Sequence, residues 1–197
     1  MSASRLEAFS DGVLAIIITI MVLELKAPHE TSLAGLKSLL PVFLSYVLSF
    51  LYIGIYWNNH HHMFHSTKQV RGGILWANLH LLFWLSLFPF TTRWVGENHI
   101  AATPTAVYGL VLLMAGIAYY VLQHAIIAQQ GPGSVLAAAI GRDWKGKLSL
   151  VLYAVAILLA FVNPWIASGL YIFVALLWLI PDRRIERVLD ESRPASH

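Results

Sequence analysis

The side chains that could do chemistry in this sequence lie in two short stretches. In the first, Ser10 and Asp11 precede an apolar run and Glu24 follows it. The second holds four histidines between positions 60 and 65, a residue type that titrates near neutral pH and often binds metals. The chain has no cysteine, which excludes thiolate nucleophiles and cysteine–zinc sites. No nucleophile–base pair is recognisable, so we expect no enzyme, no catalytic residue and no bound metal or cofactor.

Composition indicates that these residues belong to a membrane protein. Of 197 residues, 58% are hydrophobic and 12% are charged, whereas soluble domains are about 45–50% apolar and about 25% charged. The small net charge of +3, without a basic run, argues against a nucleic-acid partner. A membrane span needs about 20 mostly apolar residues. Six segments meet or approach that length, at 6–26, 39–63, 73–95, 105–128, 147–162 and 164–181.

The number of spans depends on the last two segments, which only Asn163-Pro164 separates. One kinked helix and two short helices both fit the hydropathy. Lys and Arg gather on the cytoplasmic side of short loops. Six spans place ten of these residues on one side and three on the other, whereas five spans give six and seven. We therefore predict an all-α protein with six spans, a tight Asn-Pro hairpin, and Pro89 placed to kink the third span.

The same charge distribution puts both termini in the cytoplasm. The predicted organisation is one six-helix transmembrane repeat over 1–181, followed by a short polar cytoplasmic tail over 182–197.

The first helix is the least suited to face lipid. Its uncharged run is about 18 Å long as a helix, well short of a hydrocarbon core of about 30 Å. A flanking carboxylate must then lie near membrane depth, which requires contact with protein or water. On a helical wheel, Asp11 lies about 140° from Ile16, so we expect it to bond to neighbouring helices. The stripe around Ile16, typical by itself of helix packing, comprises Arg5, Phe9, Gly12, Ile16, Thr19, Ile20 and Leu23.

The histidines leave several interpretations open. His61 and His65 are four residues apart and could share a metal ion, as in helical zinc sites. A histidine tract near a membrane surface can equally be solvated or hydrogen-bonded. His80 lies alone in the third segment, where a polar group needs a partner. We expect His80 to bond to Ser10 or Asp11, with proton sensing in gating as the alternative role.

Three motifs resemble one known family. Arg5-Leu-Glu-Ala-Phe-Ser-Asp-Gly is similar to the Arg-x-x-x-Phe-Ser-Asp signature of the transmembrane protein 175 family, which comprises endosomal and lysosomal potassium channels and their bacterial relatives. Tyr56-Trp-Asn-Asn-His-His-His-Met-Phe resembles its Trp-x-x-His-His segment, and Leu87-Phe-Pro-Phe-Thr-Thr-Arg resembles its Leu-Pro-Phe-x-Thr segment. The specific resemblance covers about the first 100 residues, and the rest is similar only in topology.

The resemblance implies a homotetramer, because bacterial members of the family carry one six-helix repeat per chain. It also implies that four copies of the first helix line a central pore without a Thr-Val-Gly-Tyr-Gly filter, which this chain lacks. Carried over by position, Ile16 is the constriction and Thr19 contributes to selectivity, with further aliphatic layers at Ile20 and Leu23. The signature residues are implied to be structural and to tie the helix to its neighbours: Arg5, Phe9, Ser10 and Asp11.

The expected function is a leak-like, modestly potassium-selective cation channel of the plasma membrane. Its partners would be permeant potassium ions, the lipid bilayer and three further copies of the chain. Rings of aliphatic side chains cannot replace an ion's hydration shell as carbonyl filters do, and they gate by narrowing and dewetting. Whether protons also pass is left open. The alternative is a proton- or metal-coupled secondary transporter that uses the histidine cluster, although the inverted repeats and broken helices common in transporters are not evident.

Overall fold

The computed structural model describes residues 2–28, 31–65, 67, 69–131, 133–140 and 143–179, and the regular elements in these ranges are all helices. The predicted all-α class is therefore confirmed, while the predicted tail over 182–197 lies outside the described residues. In chain order the helices are α1 Ala3–Leu23, α2 Leu33–Ser38, α3 Leu40–His65, α4 Gly72–Ser86, α5 Phe88–Glu97, α6 Ala102–Gln130, α7 Val135–Ile140, α8 Trp144–Ala160 and α9 Pro164–Leu179.

Four helical stretches in the described ranges are long and apolar enough to cross a membrane. They are α1, α3 up to Phe64, the combined α4–α5 unit over Gly72–Glu97, and α6. The third of these contains the predicted kink: α4 ends at Ser86, and α5 begins at Phe88 with Pro89 in its first turn. Proline fits the first turn of a helix but lacks the N–H that a continuous helix would need, so one helix ends here and another begins.

The last two segments form the predicted hairpin. α8 has 17 residues and α9 has 16, which corresponds to roughly 25 Å each at 1.5 Å per residue. Three residues connect them, and Asn163 Oδ1 accepts a hydrogen bond from the backbone N–H of Trp165 at 2.9 Å. This bond satisfies a free donor in the first turn of α9, so the Asn-Pro pair both ends α8 and starts α9.

The two ends of the bundle are marked by different contacts. At one end, Ser2 forms an antiparallel bridge with Gln69, and the Gln129 side chain donates to the carbonyl of Gln69 at 2.7 Å. At the other end, the Arg93 side chain contacts Glu24 at 2.6 Å. The first contact joins the start of α1 to the α3–α4 connection and the end of α6. The second joins the end of α1 to α5, so α1, α3, the α4–α5 unit and α6 cross the bundle in alternating directions.

Tyrosines fill the centre of the bundle, between α3, α6, α8 and α9. The Tyr52 hydroxyl donates to the carbonyl of Tyr171 at 2.6 Å, and the Tyr171 hydroxyl donates to the carbonyl of Thr105 at 3.2 Å. Each buried hydroxyl therefore reaches an acceptor, as a polar group in an apolar interior must. Gly109 allows this arrangement, because a Cβ at that position would clash with the Tyr171 hydroxyl. Four alanines of α6 and α8 are fully buried: Ala115, Ala118, Ala156 and Ala160.

Candidate ion-conducting surface

One face of α1 is left without cover by the other described residues. The side chains of Ile16 and Leu23 are 60% and 75% exposed, and those of Phe9 and Ile20 are 52% and 42% exposed. Thr19 and Arg5 on the same stripe are also exposed, and a Cβ added to Gly12 would find open space. We call this the uncovered face: Arg5, Phe9, Gly12, Ile16, Thr19, Ile20 and Leu23. These are the residues that the helical wheel groups around Ile16, and α1 is also exposed next to them, at Ser4, Ala8, Ala15 and Val22.

The opposite face of α1 is buried against α3, α4 and α5. Its buried side chains follow the 3.6-residue period, at Ala3, Leu6, Ser10, Leu14, Ile17 and Met21. Because α1 is apolar on both sides, hydrophobicity alone does not decide which side faces the bundle. Polar contacts along one edge of α1 set the rotation of the helix, so the uncovered face points away from the bundle.

Two of these contacts join α1 to α3. Trp57 Nε1 donates a hydrogen bond to Asp11 Oδ1 at 3.0 Å, and His61 Nδ1 lies 2.6 Å from Glu7 Oε1. The bond to Asp11 is the contact with a neighbouring helix that the sequence predicts for this acid. Asp11 and Glu7 are four residues apart, as are Trp57 and His61, so the two pairs stack one helical turn apart.

A third contact joins α1 to both α3 and α4 through a buried polar chain. Asn78 Nδ2 donates to Ser10 Oγ at 2.9 Å, and Ser10 Oγ donates to the carbonyl of Leu6 at 2.9 Å. The Asn78 carbonyl oxygen lies 2.7 Å from His60 Nε2. Since the amide oxygen can only accept, His60 must carry its proton on Nε2. This fixes which group donates in each hydrogen bond that links Leu6, Ser10, Asn78 and His60.

Sequence reasoning missed Asn78 and the role of His60. Both side chains are almost fully buried, at 0% and 2% exposed. The available signal was Asn78 itself, an amide within the apolar α4, where an unpaired polar group is costly. The prediction favoured His80 instead, two residues further along the same helix.

The expected bond between His80 and Ser10 or Asp11 is wrong for the single chain. His80 is exposed, and its Nε2 accepts a hydrogen bond from Trp84 Nε1 at 3.0 Å, within the same helix. Two residues along a helix turn the side chain by about 200°, so His80 and Asn78 point to nearly opposite sides. Proton sensing by His80 stays a prediction.

The other histidines do not cluster around a common point. His60 points into the bundle with its ring tilted against that of Phe64, while His61 is exposed and pairs with Glu7. Within the described residues, no group of three histidine, aspartate or glutamate side chains is close enough to hold a metal ion. The side chain of His65, the predicted i+4 partner of His61, lies outside the described part of the chain.

The signature residues divide into two pairs. Ser10 and Asp11 reach neighbouring helices, whereas Arg5 and Phe9 lie on the uncovered face. Thr19, also on that face, donates its hydroxyl proton to the carbonyl of Ala15 at 2.8 Å. Its oxygen therefore keeps its acceptor lone pairs directed away from the helix backbone.

Comparison with known proteins places this geometry in a family. The chain is 56% identical over 192 residues to a protein of Chryseobacterium sp. (strain P1-3) named potassium channel. The aligned residues cover 98% of this chain and 100% of that protein. Residues 5–89 match the profile of the family described as endosomal/lysosomal potassium channel TMEM175. The chain belongs to the TMEM175 family. The resemblance that the three motifs indicate is therefore confirmed.

Two further TMEM175 relatives bear on the fold and on its extent. The crystal structure of a protein described as a lysosomal potassium-selective channel TMEM175 homolog from Chamaesiphon minutus matches with a TM-score of 0.80 at 30% identity, covering 91% of this chain and 97% of that one. The human protein named endosomal/lysosomal proton channel TMEM175 is 38% identical over 96 residues, covering 42% of this chain but 19% of the human protein. The TMEM175 fold thus extends over nearly the whole chain.

Proposed function

We propose that this chain is a potassium-permeable cation channel that assembles as a homotetramer, with the uncovered face of α1 lining the central pore. The observation that carries the proposal is the uncovered face itself. From Ile16 to Leu23 it is aliphatic except for the Thr19 hydroxyl, and it lies on a helix held on its other sides by buried and paired polar groups. The names of the bacterial relatives support a potassium channel rather than a transporter.

In this arrangement the stripe produces successive rings along the pore axis. Thr19, Ile20 and Leu23 lie about 4.5, 6 and 10.5 Å along the helix from Ile16. Four isoleucine side chains narrow the pore and leave little room for water, while four Thr19 oxygens offer acceptors that partly replace an ion's lost hydration. Only a few ligands are available, so selectivity for potassium is modest.

The proposal includes a location and an orientation. The channel lies in the plasma membrane with both termini in the cytoplasm, since the excess of Lys and Arg falls on the side of the termini. The potassium ion is the permeant species, and the chemistry requires no cofactor or catalytic group.

The absence of cysteine provides a direct test. Single cysteines at Ile16, Ile20 and Leu23 are introduced into the protein, which is reconstituted into liposomes for potassium flux and into planar bilayers for current. A cationic thiol reagent should block these three variants. Ile172→Cys, at an exposed position of α9, serves as the matched control and should be insensitive.

Block at Ile172 without block at Ile16 would place the pathway along another helix. Currents that saturate and depend on a coupled ion, instead of ohmic unitary currents, would favour the transporter. Mass measurement in detergent should give four copies per particle.

A further inference from the structure

Arg93 joins the end of α1 to the end of α5 through two carboxylates. Its Nη1 donates to Glu24 Oε2 at 2.6 Å and its Nε donates to Glu97 Oε1 at 2.9 Å. The three side chains are partly exposed, so water reaches the group. We call Glu24, Arg93 and Glu97 the terminal triad.

The terminal triad lies beside the end of the uncovered face. Glu24 caps α1 and directly follows Leu23, the most exposed of the large hydrophobic residues of that face. On the helical wheel, Glu24 is about 80° from Ile16, on the side of the stripe that faces Arg93 of α5. Glu97 belongs to α5 and is one helix further from the stripe. The two carboxylates therefore share one partner at different distances from the proposed pore.

The charges of the triad do not cancel. Two carboxylates and one guanidinium leave one net negative charge per chain, and four copies would surround the pore entrance. A charge that lies within a Debye length, about 10 Å at 0.1 M salt, changes the local concentration of a permeant cation. Lys26, two residues beyond Glu24 and outside α1, carries a positive charge that balances this net charge overall, so Glu24 acts through its position next to Leu23; Lys26 is the same in every variant tested.

We propose that the terminal triad sets the cation concentration at the extracellular mouth of the pore, with Glu24 as the attracting charge and Arg93 as the positioning residue that holds and partly neutralises it. This inference rests on the proposed pore along α1. Fixed negative charge at a pore mouth raises conductance most when bulk salt is low, because the ions that it gathers are then scarce in solution.

The test compares Glu24→Gln with Glu97→Gln in planar bilayers. Both substitutions keep the size of the side chain, remove one negative charge and replace one ion pair of Arg93 with a neutral hydrogen bond. With about 0.1 M potassium on the extracellular side, Glu24→Gln should lower inward unitary conductance by about two-fold, and Glu97→Gln should lower it less. At about 1 M, where the Debye length is about 3 Å, both should match the parent. Arg93→Gln should raise the conductance at low salt, and Arg93→Lys should restore the parent value.

Equal effects of the two glutamate substitutions, or an effect of Glu24→Gln that persists at about 1 M, would overturn the inference. Should Arg93→Gln fail to assemble, the glutamate pair still decides, because Arg93 is intact in both variants. Failure of the proposed function is recognised separately, since the parent protein would then carry no potassium current at either concentration.

Discussion

The side-chain amide of Asn78 donates a hydrogen bond to Ser10 Oγ at 2.9 Å while its oxygen lies 2.7 Å from His60 Nε2. One residue of α4 thus holds α1 and α3 at the same depth. All three side chains are buried, so water cannot replace a hydrogen bond that is lost between them. This contact fixes the rotation of α1, and with it the direction in which the uncovered face points.

Asn78→Ala should therefore destabilise the protein. The substitution leaves the buried Nε2–H of His60 without its acceptor, at a cost of about 1–3 kcal/mol, and removes the bond that Ser10 Oγ accepts, while Ser10 keeps its bond to Leu6. We expect a lower melting temperature in detergent, measured by intrinsic fluorescence. Asn58→Ala, at an exposed position of α3, is the control and should leave the temperature unchanged. Equal effects of the two substitutions would show that the Asn78 chain does not hold α1 in place.

Ile16→Asn should raise potassium flux and weaken the preference for potassium over sodium. A shorter, polar side chain widens and wets a constriction that works by dewetting. The readout is the flux of each ion from liposomes, with Ile172→Asn on α9 as the control at a comparably exposed isoleucine. Unchanged flux in Ile16→Asn would argue against Ile16 as the constriction.

Thr19→Val should reduce potassium selectivity while the channel still conducts. Valine keeps the shape of threonine but removes the oxygen that could contact an ion. Reversal potentials under mixed potassium and sodium measure the effect. Ser168→Ala in α9 is a suitable control, because Ser168 makes the same type of bond to the carbonyl four residues earlier, at 2.9 Å. A parent-like reversal potential in Thr19→Val would remove Thr19 from the selectivity site.

Gly109→Ala should destabilise the bundle, since the added methyl group would clash with the Tyr171 hydroxyl and approach the Ile157 side chain. Overpacking of this kind typically costs about 1–3 kcal/mol. Gly54→Ala, in α3, meets nothing within 4 Å and should be neutral or slightly stabilising. Thermal unfolding of the two variants in the same detergent makes the comparison. Similar melting temperatures would mean that α6 and α9 can move apart without cost.

Much of the fold follows from local properties of the sequence. Apolar runs of sufficient length indicate the spans, and the break near Pro89 and the turn at Asn163-Pro164 follow from the missing N–H of proline. The stripe around Ile16 is a consequence of the helical repeat. None of these features requires knowledge of a distant contact, which is why they could be predicted.

The partners of the polar side chains could not be predicted in the same way. His80 and Asn78 are both polar residues of α4, and only the rotation of that helix decides which of them faces α1. The side chains of His80, which was predicted to contact α1, and of Asn78, which does so, point about 200° apart around α4. The pairing of Glu24 with Arg93, 69 positions apart, is equally invisible in the sequence.

The sequence by itself determined that this is an all-α membrane protein of the TMEM175 family, and which residues of α1 share one stripe. Hydrophobicity and helical periodicity are local, and they fix both points. The tertiary structure decided that this stripe is the side of α1 left uncovered. Both sides of α1 are apolar, so the choice depends on directional bonds from Trp57, Asn78 and Arg93, which only the packed helices bring within reach.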